Sequence, residues 1–95
     1  MGSRSTEVAR GLEDLSGIGP AMLADFERLR VTSVEDLARC DPRELYDRLG
    51  RITRARQDPC VLDVFSCAVA QARDPRLPSR KRHWWYWSRL RKRGG

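Results

Sequence analysis

Gly17-Ile18-Gly19 is the stretch of this chain whose residue types and spacing best suit chemistry. The chemistry is phosphate binding by the backbone. Two glycines let the chain turn sharply and approach another molecule closely, Ile18 plugs the turn into a core, and Pro20 fits the first turn of a following helix. The amides near Gly17, Gly19 and Ala21 then point outward at a helix N-terminus. Such a terminus carries roughly +0.5 charge and several unpaired N–H groups, so it holds a phosphate without any side chain. The plainer reading of the same residues is a tight structural turn. Pro20, Ala21 and Met22 bring no cation or hydroxyl, Pro20 removes a donor, and Asp25 and Glu27 add negative charge nearby. Attraction there rests on amides and dipole.

Cations stand elsewhere. Arg51, Arg54 and Arg56 form a basic connector that would supply the missing charge if it lay beside the glycines. Residues 1–74 hold 11 arginines against 13 carboxylates, whereas residues 75–95 hold 8 lysines and arginines and no acid, so the formal charge of +6 is a property of the tail. Arg80, Lys81, Arg82, Arg89, Arg91, Lys92 and Arg93 are candidate phosphate contacts, each contributing by counterion release. An anionic membrane surface, or simply a solvated end, fits the same block. Trp84, Trp85 and Trp87 have three readings: stacking on exposed bases, docking at a membrane or protein surface, or packing back on the core. The expectation is that two pack and one is left free.

Cys40, Cys60 and Cys67 make an odd count without close pairs, which suits reduced thiols in a cytoplasm. Cys60 and Cys67, seven apart, share a helix face with apolar neighbours and read as small buried hydrophobes rather than metal ligands. His83 has no nucleophile near it in sequence, the carboxylates are scattered, and no phosphate loop or dinucleotide loop is present. The chain therefore reads as a binding module, not an enzyme, with no cofactor and no metal. No apolar run approaches the roughly 20 residues of a membrane span.

The elements that must position these residues are helical. Leu12 and Leu15 predict a first helix, beginning as early as Thr6, and Met22, Leu23, Phe26 and Leu29 a second. Ser33 caps a third over Val34–Ala38, with Asp36 at the capping-box position. Asp41-Pro42 starts a fourth that weakens at Gly50, and Asp58-Pro59 starts a fifth reaching Arg73. Residues 1–10 are predicted to be a flexible end, 11–74 one domain, and 75–95 a basic aromatic tail partly packed on it. Removing residues 88–95 is expected to leave the core folded.

Glycines between two such helices resemble the helix-hairpin-helix motif, which implies sequence-independent contact with the DNA backbone over Leu12 to Leu29. A second copy without glycines follows: Val34, Leu37 and Ala38, the turn Arg39-Cys40-Asp41-Pro42, then Leu45, Tyr46 and Leu49. The longer pattern is more specific. Tyr46-Asp47-Arg48-Leu49, Arg56-Gln57-Asp58-Pro59-Cys60-Val61-Leu62-Asp63-Val64-Phe65, Cys67-Ala68 and Trp84-Trp85-Tyr86-Trp87 resemble a small bacterial family described as pathogenicity locus or mitomycin resistance proteins. The resemblance implies a helix-hairpin-helix fold and nucleic-acid association, and no activity. The reading is thus an all-α, compact five-helix double helix-hairpin-helix (SAM-like) domain. Its expected function is weak, sequence-independent binding of double-stranded DNA, accessory to repair or another DNA transaction. The alternative is a protein-interaction adaptor with a structural hairpin and a partner-docking tail.

Overall fold

Three helices begin on a proline. In the computed structural model, which describes residues 10–94, α1 spans Pro20–Arg28, α3 Pro42–Thr53 and α4 Pro59–Arg73. At the first helical position the missing N–H has no partner to lose, and the fixed φ suits the helix. Asp41 and Asp58 cap α3 and α4 by accepting from the Arg43 amide at 3.1 Å and the Cys60 amide at 2.8 Å. Between α1 and α3, α2 covers Val34–Ala38 and starts on Ser33, whose hydroxyl accepts from the Asp36 amide at 3.0 Å. The Asp36 carboxylate accepts from the Thr32 hydroxyl and amide, at 2.8 and 3.3 Å, so it reaches one residue past the cap. A fifth helix, α5, runs Trp84–Gly94, and 3₁₀ turns lie at Leu12–Asp14 and Ser79–Arg82. No strand occurs among the described residues, and the fold is all-α with five helices.

Four expectations change. The first predicted helix is only the 3₁₀ turn at Leu12–Asp14, because an i, i+3 pair of leucines satisfies one tight turn as well as a helix. Its predicted start at Thr6, and nearly all of the flexible end over residues 1–10, lie outside the described residues. Gly50 does not weaken α3, which continues to Thr53 and ends where Arg54 takes a left-handed conformation (φ 54°). Arg51 is therefore helical, and the connector starts at Arg54. The tail, in which no helix is expected, carries α5, which returns antiparallel along α4. Cys67 Sγ meets the Lys81 carbonyl at 3.7 Å, and Asp63, one turn earlier on α4, is held by Arg91.

The core lies between α4 and the other elements. Phe26 and Phe65 meet with ring centroids 5.9 Å apart, and Leu37, Leu45, Leu49 and Val69 complete the buried set around them. Three arginines satisfy carbonyls left open at helix ends. Arg48 donates to Leu29 O (2.8 Å), Arg73 to Ala38 O and Cys40 O (both 2.9 Å), and Arg10 to Gln71 O (3.0 Å) and Ala72 O (3.3 Å). Arginine in this chain is partly a structural residue.

Candidate nucleic-acid interface

At the glycines, the Leu15 carbonyl accepts from the Ile18 amide at 3.4 Å, closing a tight turn in which Gly17 has φ +81°. Only glycine adopts that conformation without strain. Leu15 is buried and Ile18 packs half-buried against the core, so the turn is anchored from below. Gly19, with extended φ and ψ of −104° and −174°, is the N-cap of α1. A Cβ placed on either glycine meets nothing within 4 Å. Gly17 thus has a conformational reason to be glycine, whereas Gly19 has an ordinary φ and open space around it and serves inside the chain as the N-cap of α1, a position glycine suits. Among the described residues, the amides of Gly17, Gly19 and Ala21 have no acceptor in the chain. The first turn of α1 holds no acidic residue, and Asp25 is paired with Arg28 at 2.9 Å.

A buried glutamine holds this turn in place. Gln71 is 3% exposed. Its Oε1 accepts from the Ser16 amide at 2.9 Å, and its Nε2 donates to the Ser16 carbonyl at 3.1 Å and to Cys67 Sγ at 3.5 Å. Cys67 and the Trp87 indole both donate to the Lys81 carbonyl, at 3.7 and 2.8 Å. Three contacts in series therefore link the Ser16 carbonyl to the Lys81 carbonyl through Gln71 and Cys67. The second 3₁₀ turn carries Arg80 and Arg82 exposed and Lys81 half-buried.

The connector lies elsewhere. It leads into the start of α4, while Gln71 stands near its end, and the 15-residue helix separates them by about 20 Å. Arg54 and Arg56 are exposed there. Arg91 and Lys92 come to the same end, where their charges act on Asp58 and Cys60 respectively. Arg91 is itself engaged: its guanidinium donates through Nε (2.8 Å) and Nη2 (3.0 Å) to Asp63, which is 1% exposed. Those hydrogen bonds raise the Arg91 pKa further. Lys92 and Arg93 are exposed, and Arg89 sits 4.9 Å over the Trp85 ring.

Trp87 is half-buried, whereas Trp84 and Trp85 are 44% and 41% exposed. One indole packs and two stand out, the reverse of the expected division, because only the Trp87 side of α5 faces α4. Of the cysteines, Cys67 is buried and Cys40 half-buried, but Cys60 is exposed, since the face of α4 covered at Cys67 by the Lys81 turn is uncovered at its first turn. Burial raises the thiol pKa of Cys67 and Cys40, and a hydrogen bond with Asp58 raises that of Cys60. All three are thereby disfavoured as thiolates. Among the described residues no three His, Cys, Asp or Glu side chains gather as a metal site, and no helix is long and apolar enough to cross a membrane.

Gln71, Ser16 and Arg10 were not singled out by sequence, because a glutamine on an apolar helix face carries no sign of its partner. Comparison with known proteins adds a lineage. A family described as "Pathogenicity locus" matches residues 5–93. The mitomycin resistance protein McrB of Streptomyces lavendulae is 39% identical over 82 residues, which cover 86% of this chain and 74% of that protein. No solved structure matches.

Proposed function

The chain belongs to the pathogenicity locus family, and from that premise we propose that it is a cytoplasmic, sequence-independent DNA-backbone binding module. It acts as an accessory to DNA repair or another DNA transaction, and the mitomycin resistance named in its relative is the phenotype to which we attach it. The observation that carries the reading is Gly19: an N-cap glycine with open space where its side chain would stand, beside amides that have no acceptor among the described residues. A phosphate approaching that closely explains why a side chain is absent. On this reading the glycine turn is a helix-hairpin-helix element whose first helix is reduced to a 3₁₀ turn, and Arg80 and Arg82 add charge to a dipole worth about 0.3–1 kcal/mol when exposed.

The test is a titration with duplexes of unrelated sequence. Affinities similar across sequences and falling steeply with salt are expected. Gly19→Ala should cost up to about 1 kcal/mol of stability, because alanine is the poorer N-cap, and should weaken every duplex under conditions where the variant stays folded, while Gly17→Val should cost about 1–2 kcal/mol of stability through its left-handed φ. Absence of duplex binding at low salt sinks the reading. A second one, the protein-interaction adaptor, is favoured by an open groove of about 530 Å³ beside the turn, lined by Leu12, Pro20, Leu23, Ala24, Glu27, Val31 and Thr32. Charges at Glu27→Lys that abolish a partner's binding and spare DNA would select it.

A further inference from the structure

We infer that the exposed surface built by His83, just ahead of α5, and by Trp85 and Arg89 on α5 is a stacking site for unpaired bases of a single-stranded nucleic acid. It is distinct from the glycine turn and stands whether or not that turn takes phosphate. The His83 and Trp85 rings are nearly parallel, 6° apart with centroids separated by 5.4 Å, and the Arg89 guanidinium lies 4.9 Å from the Trp85 centroid. Both rings are exposed. With His83 stacked on the indole and Arg89 over it, the ring has already lost most of its rotamer freedom, and an arriving base stacks by taking the place of the Arg89 guanidinium. Trp84, 44% exposed, extends the aromatic surface.

Charge selects the occupant. Residues 75–95 contain no carboxylate, Asp63 on the adjoining helix is bound by Arg91, and Arg80, Arg82, Lys92 and Arg93 are all exposed along the same segment. A polyanion with π-faces matches this combination of rings and cations. A bilayer does not, because insertion needs a continuous apolar stripe. The solvent side of α5 sets Arg89 and Lys92 four and seven residues after Trp85, which breaks that stripe with charge. Duplex DNA offers only its backbone and groove edges here, so the rings choose unpaired bases.

The experiment measures affinity of the full chain for a short labelled oligothymidylate and for a duplex, across a salt series. Trp85→Ala should weaken the oligothymidylate about tenfold to a hundredfold and leave its salt slope unchanged, because the ring carries no charge. Duplex affinity should stay at the wild-type value, and Trp85→Phe should retain most of the single-strand affinity. Wild-type oligothymidylate binding by Trp85→Ala overturns the site, as does an equal loss on the duplex. Tighter binding to phosphatidylglycerol vesicles than to the oligothymidylate overturns it in favour of a membrane surface. Gly19→Ala reports separately on the glycine turn: no change in duplex affinity there would remove the backbone reading and leave this one intact.

Discussion

Gln71 sits on a helix that also buries the apolar Phe65, Ala68, Val69 and Ala72 together with Asp63 and Cys67, and its amide reaches both the glycine turn and Cys67. Among the described residues no buried side-chain nitrogen or oxygen lacks a partner, so this polar link adds order without an unpaired group. Gln71→Ala should lower stability by about 1–3 kcal/mol in chemical denaturation and weaken duplex binding, because the turn loses its hold; unchanged values for both would discount the link. Two carboxylates contribute to the response to acid. Asp36 is lowered first by the Thr32 hydroxyl, and Asp58 first by the Cys60 amide. A group with a depressed folded pKa contributes stability that is complete above its unfolded value, near 3.9, and is lost as pH falls through the folded one. Stability should therefore decline below about pH 4. Asp36→Asn with Asp58→Asn, which keeps a capping oxygen without the charge, should flatten that decline in pH-dependent unfolding.

The starts of α1 to α4 were legible, as were the ends of α2 at Ala38 and α4 at Arg73, but the ends of α1 and α3 were not. Asp-Pro and Ser signals mark where α2, α3 and α4 begin, but α1 and α3 each end through an arginine in the left-handed region, Arg30 at φ 62° and Arg54 at φ 54°. At the end of α1 the Val31 amide reaches the Phe26 carbonyl and the Arg30 amide the Glu27 carbonyl; at the end of α3 the Ala55 amide reaches Gly50 O. These are bonds of the Schellman type usually built around glycine, so a sequence without glycine there hides them. Arg30→Gly or Arg54→Gly should raise stability by up to about 1 kcal/mol, seen as a higher Tm, and a lower Tm would contradict the left-handed stops. The fifth helix was hidden for another reason. Its packed side carries Trp87, Ser88 and Arg91, and a face containing a hydroxyl and a guanidinium gives no apolar period to read.

At the scale of the molecule, α5 is part of the fold rather than a separable source of charge. Arg91 neutralises the buried Asp63, and breaking a buried pair by removing one partner is strongly destabilising. Removing residues 88–95 takes away buried Ser88 and Arg91 together, so the truncated chain should unfold at markedly lower denaturant than the intact one. A core of unchanged stability would contradict the docking of α5. Loss of DNA binding by such a truncation says nothing about electrostatics. Lys92→Gln with Arg93→Gln leaves the Asp63 contact in place and isolates the charge: affinity should fall on every duplex and the salt slope should flatten.

The glycine turn also sets a pattern in time. The Ser16 amide is tied to Gln71, and the Leu23 amide to Gly19 O at 3.0 Å, while those of Gly17, Gly19 and Ala21 have no acceptor among the described residues. In deuterated solvent those three should exchange at nearly the rate of an unfolded peptide, and Ser16 and Leu23 only when the clamp or helix opens. A duplex seated on the turn would slow the three fast amides and leave the tied ones as they were.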